Sequence, residues 1–195
     1  MRKDIWVRPG HLTDLGILAK IYREGFENEL SFFFRGFSKC FFESLFQHLI
    51  RDTIVAEVGG QVVGFIIVTL GPVPIARASI LQLMVSLPAL LTVVRSSFFI
   101  CILQKVRNMD WKRGEVGIGC IAVRKKFRGK GIGGVLMSEA LARYPEKKVT
   151  LDVRPWNESA IRLYTSVGFR KIGAWMDPLG EWILMKRTPS FSHGK

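Results

Sequence analysis

A basic, glycine-rich stretch directly follows the apolar run that ends at Val123. Five cations fall within seven residues of it: Arg124, Lys125, Lys126, Arg128 and Lys130. Glycines at positions 129, 131 and 133 would let the backbone curl around an anion without clashes from a Cβ atom. The stretch therefore indicates either a site for a ligand with several phosphates or a solvated basic loop, and the loop alone does not decide between them.

Other phosphate-binding patterns fit this stretch less well. The GxxxxGK[ST] pattern of P-loop ATPases is absent. The string "GKGIGG" from Gly129 lacks the glycine spacing of the dinucleotide fingerprint, and Asp152 lies inside the next predicted strand instead of at its end. Nucleic-acid binding is better supported where aromatic residues alternate with cations, and Phe127 is the one aromatic residue here. We therefore do not expect sequence-specific binding to nucleic acid.

The elements around the stretch suit an anion site. A strand is predicted over 115–123, a helix over 131–144, a second strand over 148–155 and a second helix from Asn157 to near Gly168. A strand, helix, strand unit implies a parallel pair joined by a right-handed crossover. The loop would then lie at the amino end of a helix, where backbone N–H groups lack intrahelical partners.

The rest of the chain predicts hairpins and amphipathic helices. A strand at 4–8 precedes a helix with Thr13 as its N-cap, and a second helix is expected over 38–51. Gly59-Gly60 predicts a tight hairpin, and a turn at 177–180 joins the last two strands. The sheet is therefore mixed.

Composition limits the class of protein. The 195 residues fit one domain, and 48% hydrophobic residues argue against disorder. The net charge of +13 predicts attraction to anions. The three cysteines show no zinc or disulfide spacing, so we expect no metal site and a reducing, cytoplasmic location. An uncharged stretch at 78–94 is interrupted by Pro88 and followed by Arg95, which favours short buried helices over a membrane span.

Two motifs together resemble the GNAT superfamily of acetyl-CoA-dependent N-acetyltransferases. "IAVRKKFRGKGIGGVLM" resembles its motif A, [QR]-x-x-G-x-[GA], either with Lys126, Gly129 and Gly131 or, shifted, with Arg128, Gly131 and Gly133. "LDVRPWNESAIRLYTSVGFRKIG" resembles its motif B. The resemblance implies a single α/β domain over 1–188 with a mixed, mostly antiparallel sheet that splays between strands 4 and 5, and with helices on both faces. The segment 75–110 would be an apolar helical insertion, and 189–195 a frayed tail.

The resemblance also implies roles for particular residues. The pantetheine arm of acetyl-CoA would pair as an extra strand with the backbone of three residues: Ile121, Ala122 and Val123. Loop residues would hold the pyrophosphate: Lys126, Phe127, Arg128, Gly129, Lys130, Gly131, Ile132, Gly133 and Gly134. Asn157 would contact the cofactor, and Tyr164 would give a proton to the CoA sulfur.

Each of these side chains also has a plain structural interpretation. Tyr164 is at a position where a tyrosine often packs in the core, and Asn157 could be a helix N-cap that does not contact the cofactor. Glu115 lies eleven residues before Lys126, a spacing at which some family members carry a catalytic glutamate. Strand alternation would place it on one face with Gly117, Gly119 and Ile121. Glu115 is therefore the candidate base, with a water relay or a solvated strand-end glutamate as the alternatives.

The residue pattern gives the least information about the acceptor of the acetyl group. By resemblance, the acceptor groove would include four phenylalanines, which could equally be core: Phe32, Phe33, Phe34 and Phe37. We expect a primary amine acceptor, which could be a small molecule, a lipid-like amine or a protein N-terminus. A non-catalytic acyl-CoA-binding module and a protein that contacts membranes or acidic partners remain alternatives, and the apolar insertion is a candidate homodimer surface.

Overall fold

The centre of the protein is a seven-stranded mixed sheet. The computed structural model describes residues 4–26, 43, 46–47, 49–71, 114–177 and 180–189. The strands are β1 Ile5–Pro9, β2 Thr53–Val58, β3 Gln61–Leu70, β4 Val116–Val123, β5 Val149–Val153, β6 Arg170–Asp177 and β7 Gly180–Arg187. Their order is β1-β2-β3-β4-β5-β7-β6, and every neighbouring pair is antiparallel except β4 and β5. The predicted fold class is confirmed.

Helices cover both faces of this sheet. We call the first face the one that carries α2 (Ile132–Ala142) and α3 (Glu158–Ser166), and the second face the one that carries α1 (Leu15–Gly25). The core of the first face joins Leu136 of α2 and Tyr164 of α3 to Val116, Leu151 and Met185 of the sheet. A separate core on the second face joins Leu18 and Ile21 of α1 to β2 and β3.

Local signals account for most element boundaries. Gly59 and Gly60 adopt φ values of 59° and 72°, so the predicted tight turn between β2 and β3 is confirmed. The prediction of Thr13 as a helix N-cap is wrong, because a 3-10 turn at Leu12–Asp14 comes first and α1 begins after Asp14. The Asp14 carboxylate accepts from the backbone N–H of His11 at 2.8 Å and from Arg8, which holds the pKa of Asp14 below its ordinary value and fixes this turn.

Several predictions concern residues outside the described part. These are the insertion at 75–110, the four candidate acceptor phenylalanines at 32–34 and 37, most of the predicted helix at 38–51 and the tail beyond 189. The described residues of that predicted helix include Phe46 and Leu49, which are helical and buried. No helix in the described ranges combines the length and the apolar content needed to cross a bilayer.

Candidate active site

The two parallel strands diverge soon after they pair. β4 and β5 share two rungs, Val116 with Val149 and Gly117 with Thr150, and no further rung. From Ile118 onward the edge of β4 that faces β5 therefore borders a gap, which we call the β4–β5 gap. This is the splay between strands 4 and 5 that the resemblance implies.

The hydrogen-bond alternation of β4 turns alternate backbone groups toward this gap. Arg124 N–H donates to the Val63 carbonyl at 2.9 Å, and Phe65 is paired with Ala122. Antiparallel pairing alternates along a strand, so the N–H and C=O groups of Ile121 and Val123 point away from β3 and into the gap. The backbone groups of Ala122 point toward β3 instead. Two of the three predicted backbone partners thus lie at the edge of the gap.

The basic loop lies between β4 and the start of α2. It contains a short 3-10 turn at Lys125–Phe127, and Gly131 caps α2. Gly129 and Gly131 have φ values of 72° and 81°, which favour glycine. Gly133 is already helical, and a Cβ atom there would lie 3.4 Å from Leu163 Cδ2. Its predicted role in curling the loop is therefore corrected: its absent side chain lets α2 and α3 approach closely.

The cations of the loop divide into two groups. The ammonium groups of Lys126 and Lys130 each lie 5.1 Å from the Phe127 ring centre, on the outside of the loop. Arg128 instead reaches inward, where its Nε donates to the Val123 carbonyl at 3.0 Å and its Nη2 to the Glu24 carbonyl at 3.4 Å.

Arg124 adds a buried donor beside the loop. Its Nε is buried and has no hydrogen-bond partner among the residues that the structure describes. A buried guanidinium donor of this kind suits an anion such as a phosphate, because leaving it unmatched costs free energy.

Tyr164 is buried in α3 on the first face, near Cys120 of β4, which lies beyond the last paired rung. Burial raises the pKa of its hydroxyl above the ordinary value, and the nearby Cys120 of β4 raises it further. Its ring packs against Phe169, with centroids 6.0 Å apart. The hydroxyl therefore stays protonated at neutral pH and can act as a proton donor.

Asn157 caps α3. Its side-chain oxygen accepts from the Ala160 N–H at 3.2 Å and from the Ser159 hydroxyl at 3.1 Å. The capping interpretation is confirmed, and the exposed position at the start of α3 leaves room for a contact with a ligand as well.

Glu115 is buried at the other end of β4. Its carboxylate lies 3.0 Å from Lys186 Nζ and accepts from the Thr150 hydroxyl at 3.4 Å. These partners place Glu115 beside the last paired rungs of β4 and β5, on the opposite side of them from the basic loop.

The predicted shared face of β4 is wrong in part. The β3–β4 register shifts between Ile67 and Val68, which leaves one extra residue, Gly119, in β4. Ile121 consequently packs on the first face, whereas Cys120 packs against the core of the second face. A bulge of this kind reverses the alternation beyond it, so Glu115 and Ile121 are on opposite faces.

Asp152 is a second carboxylate, for which the sequence excluded a ribose-binding role and indicated no other. Leu151 and Val153 fill the core of the first face, so Asp152 lies on the second face, next to the gap. It is half-buried and accepts from Trp175 Nε1 at 3.3 Å. The sequence "VTLDV" could have indicated Asp152, because its one charged residue alternates with the apolar residues Leu151 and Val153.

Comparison with known proteins gives consistent matches. The family model "Acetyltransferase (GNAT) family" matches residues 20–169. Over 59 residues, 30% of this chain, the sequence is 39% identical to the N-alpha-acetyltransferase RimI of Mycobacterium tuberculosis. The match spans 37% of the length of RimI and 16% of the length of another curated relative, from Mycobacterium leprae.

Solved structures share the fold. An N-acetyltransferase from Staphylococcus aureus superimposes with a TM-score of 0.70 at 20% identity, over 93% of this chain and 99% of that one. YncA of Salmonella typhimurium, a putative acetyltransferase solved with its cofactor acetyl-CoA, gives 0.62 at 16% identity, over 97% and 96% of the two chains.

Proposed function

The chain belongs to the acetyltransferase (GNAT) family, and we propose that it transfers an acetyl group from acetyl-CoA to a primary amine. The observation that carries the proposal is the β4–β5 gap, which brings together backbone groups that no neighbouring strand pairs, a basic loop and a buried, protonated tyrosine. A flexible basic linker would not require this combination of features.

Acetyl-CoA is the cofactor of this family, and when bound it supplies a thioester whose sulfur leaves as a thiolate. Ile121 offers its N–H and C=O groups, and Val123 its N–H group, to an amide-bearing arm that enters the gap, as an added strand does, whereas the Val123 carbonyl already accepts from Arg128. The amides of the first turn of α2 and the Arg124 guanidinium suit the pyrophosphate. Asn157 would contact the cofactor from the start of α3.

The inward reach of Arg128 favours the shifted motif A, with Arg128, Gly131 and Gly133. In that register Gly131 caps α2, and Arg128 lies at the mouth of the gap. Lys126 is exposed and lies over the Phe127 ring instead.

Side chains at the gap and beside the paired rungs would support a direct transfer. As the amine nitrogen bonds to the carbonyl carbon and the carbon–sulfur bond breaks, Tyr164 would donate its proton to the sulfur. Glu115, directly or through a water, would take the proton that the amine loses. Glu115 lies eleven residues before Lys126 but thirteen before Arg128, so in the shifted motif its spacing no longer supports a role as the base. Asp152 is therefore the alternative base.

An acetyl-CoA consumption assay against free amines and peptide N-termini tests the proposal. We expect turnover with at least one acceptor class and a loss of about 100-fold or more in kcat for Tyr164→Phe, with CoA affinity unchanged. Tyr144→Phe is the matched control, because Tyr144 packs against the same core from the end of α2. Binding of CoA without any turnover would instead support a non-catalytic module.

The similarity to an N-alpha-acetyltransferase favours protein N-termini as one acceptor class, beside small and lipid-like amines. A homodimer also belongs to this proposal. Sedimentation of the full chain at several concentrations tests it, and a concentration-independent monomer would exclude the dimer.

A further inference from the structure

Three tryptophans and an arginine form a continuous row on the second face of the sheet. The rings of Trp175 and Trp182 are nearly parallel, with an interplanar angle of 10° and centroids 5.6 Å apart. The Arg154 guanidinium carbon lies 3.9 Å from the ring centre of Trp182 and 5.1 Å from that of Trp156. We call these four side chains the tryptophan row.

The row is held in place by the strands beneath it. Trp175 and Trp182 are direct cross-strand partners in β6 and β7. Arg154 is buried, and its Nη1 donates to the carbonyls of Gly180 and Glu181 at 3.1 and 3.4 Å. The end of β5 is thereby tied to the β6–β7 turn, so the rings are already fixed before any ligand arrives.

The row is not part of the main core. Leu151, Val153, Ile183 and Met185 point to the first face and supply the core there. Trp156 is 59% exposed, and Trp175 and Trp182 are half-buried. The row therefore presents aromatic surface on the opposite side of strands whose core is already filled.

One end of the row adjoins the β4–β5 gap. The last paired rung joins Gly117 to Thr150, and Asp152 is the next residue of β5 on the second face. Trp175 Nε1 donates to Asp152 Oδ1 at 3.3 Å. A ligand that approaches the gap from the second face thus meets a carboxylate at the gap and an indole ring directly beside it.

This juxtaposition matches one kind of acceptor, and the inference rests on the proposed function. We propose that the tryptophan row binds the acceptor, and that the acceptor is a primary amine with an aromatic ring a few bonds from its nitrogen. The ammonium form is attracted to the Asp152 carboxylate and to the electron-rich ring faces, while the aromatic group packs on the indoles. The ring therefore sets the distance at which the amine reaches the gap.

Two matched pairs of acceptors test this inference. 2-Phenylethylamine is compared with n-butylamine, and the N-terminus of Phe-Gly amide with that of Ala-Gly amide, with the full chain and acetyl-CoA. We expect kcat/KM to be at least about tenfold higher for the aromatic member of one pair, and the pair that shows it distinguishes a free amine from a polypeptide N-terminus. Equal values within both pairs would overturn the inference but leave the proposed transferase activity standing.

Variants of the row separate binding from a structural role. Trp175→Leu should raise KM for the aromatic acceptor and abolish the preference, while the affinity for CoA stays within about twofold. Trp175→Phe keeps a ring and should retain part of the preference. Trp6→Leu is the matched control, since Trp6 is 71% exposed on the far edge strand β1. An equal loss for both acceptors in Trp175→Leu would contradict a binding role.

Calorimetric titration of 2-phenylethylamine into the CoA complex gives a readout independent of turnover. Binding that Trp175→Leu weakens supports the inference even if no acetyl transfer is observed, in which case only the proposed function fails. Absence of binding to the unaltered chain, together with no aromatic preference for the peptide pair, overturns it.

Discussion

The buried hydroxyl of Tyr164 in α3 is the proposed acid of the transfer. Burial places the ring among apolar side chains and raises the pKa of the hydroxyl above its ordinary value of about 10. An acid must be protonated to act, so a raised pKa extends its working range upward in pH.

We expect no decrease in kcat that is attributable to Tyr164 below about pH 10. The measurement is kcat against pH up to 10 with an acceptor of low pKa, so that deprotonation of the acceptor does not dominate the profile. A decrease near pH 8 that disappears in Tyr164→Phe would contradict the prediction.

The buried ion pair of Glu115 and Lys186 is expected to contribute to stability. Their side chains are 6% and 18% exposed, so removing one partner leaves the other charge poorly solvated. We expect Lys186→Met to lower the free energy of unfolding by about 3 kcal/mol in urea titrations. The double variant Glu115→Gln/Lys186→Met should recover most of this loss, whereas additive effects of the two changes would contradict the coupling.

Sequence patterns predicted site residues that lie close together in the chain and missed contacts between residues of different strands. Tyr164 and Asn157 occur within one short motif, so their spacing alone indicates a shared helix. The tryptophan row joins residues of β5, β6 and β7, and its contacts depend on strand registers that pair Trp175 with Trp182 and Asp152 with Leu184. Such registers are not fixed by local sequence.

At the scale of elements, the start of α2 combines two kinds of glycine. Gly131 has a φ of 81°, which an L side chain adopts only at a cost. Gly134 is helical, and a Cβ atom there would make an ordinary contact of 3.8 Å with Leu163. The two positions therefore predict opposite effects of the same substitution.

Gly131→Ala should lower the free energy of unfolding by about 1–2 kcal/mol and weaken CoA binding. Gly134→Ala should leave stability unchanged or raise it by up to about 1 kcal/mol, because alanine favours helix over glycine. Thermal and urea unfolding of both variants measure the difference. Equal destabilisation by the two changes would be inconsistent with this geometry.

Element order was predictable from sequence because hydrophobic periodicity and glycine turns are local signals. The bulge at Gly119 was not predictable, because the residues of "VGIGCIAV" fit strand alternation equally well with and without one extra residue. That single residue moves Ile121 to the opposite face from Glu115. Strand alternation therefore does not predict which face the residues beyond the bulge occupy.

For the whole molecule, the net charge of +13 raises the question of whether cofactor attraction is local or global. The exposed lysines Lys147 and Lys148 follow the carboxyl end of α2, whereas Lys126 and Lys130 adjoin its amino end. Removing either pair changes the net charge equally. The two pairs therefore separate the local contribution from the global one.

We expect Lys126→Gln/Lys130→Gln to weaken CoA binding by about tenfold at low salt, because an exposed ion pair contributes up to about 1 kcal/mol. Lys147→Gln/Lys148→Gln should change it less than about twofold. Calorimetric titrations at 50 and 300 mM NaCl measure both, and the loop effect should shrink at high salt. Equal losses for the two pairs would indicate that net charge alone governs binding.

The gap between β4 and β5 has a consequence for the choice of acyl donor. Under the proposed binding mode, the backbone of Ile121 and Val123 contacts the pantetheine arm, which is identical in acetyl-CoA, propionyl-CoA and longer thioesters. Affinity from these hydrogen bonds therefore cannot discriminate between acyl chains. Discrimination must come from the space beyond the thioester, near the Gly119 bulge and Cys120, where each added methylene group has to find room.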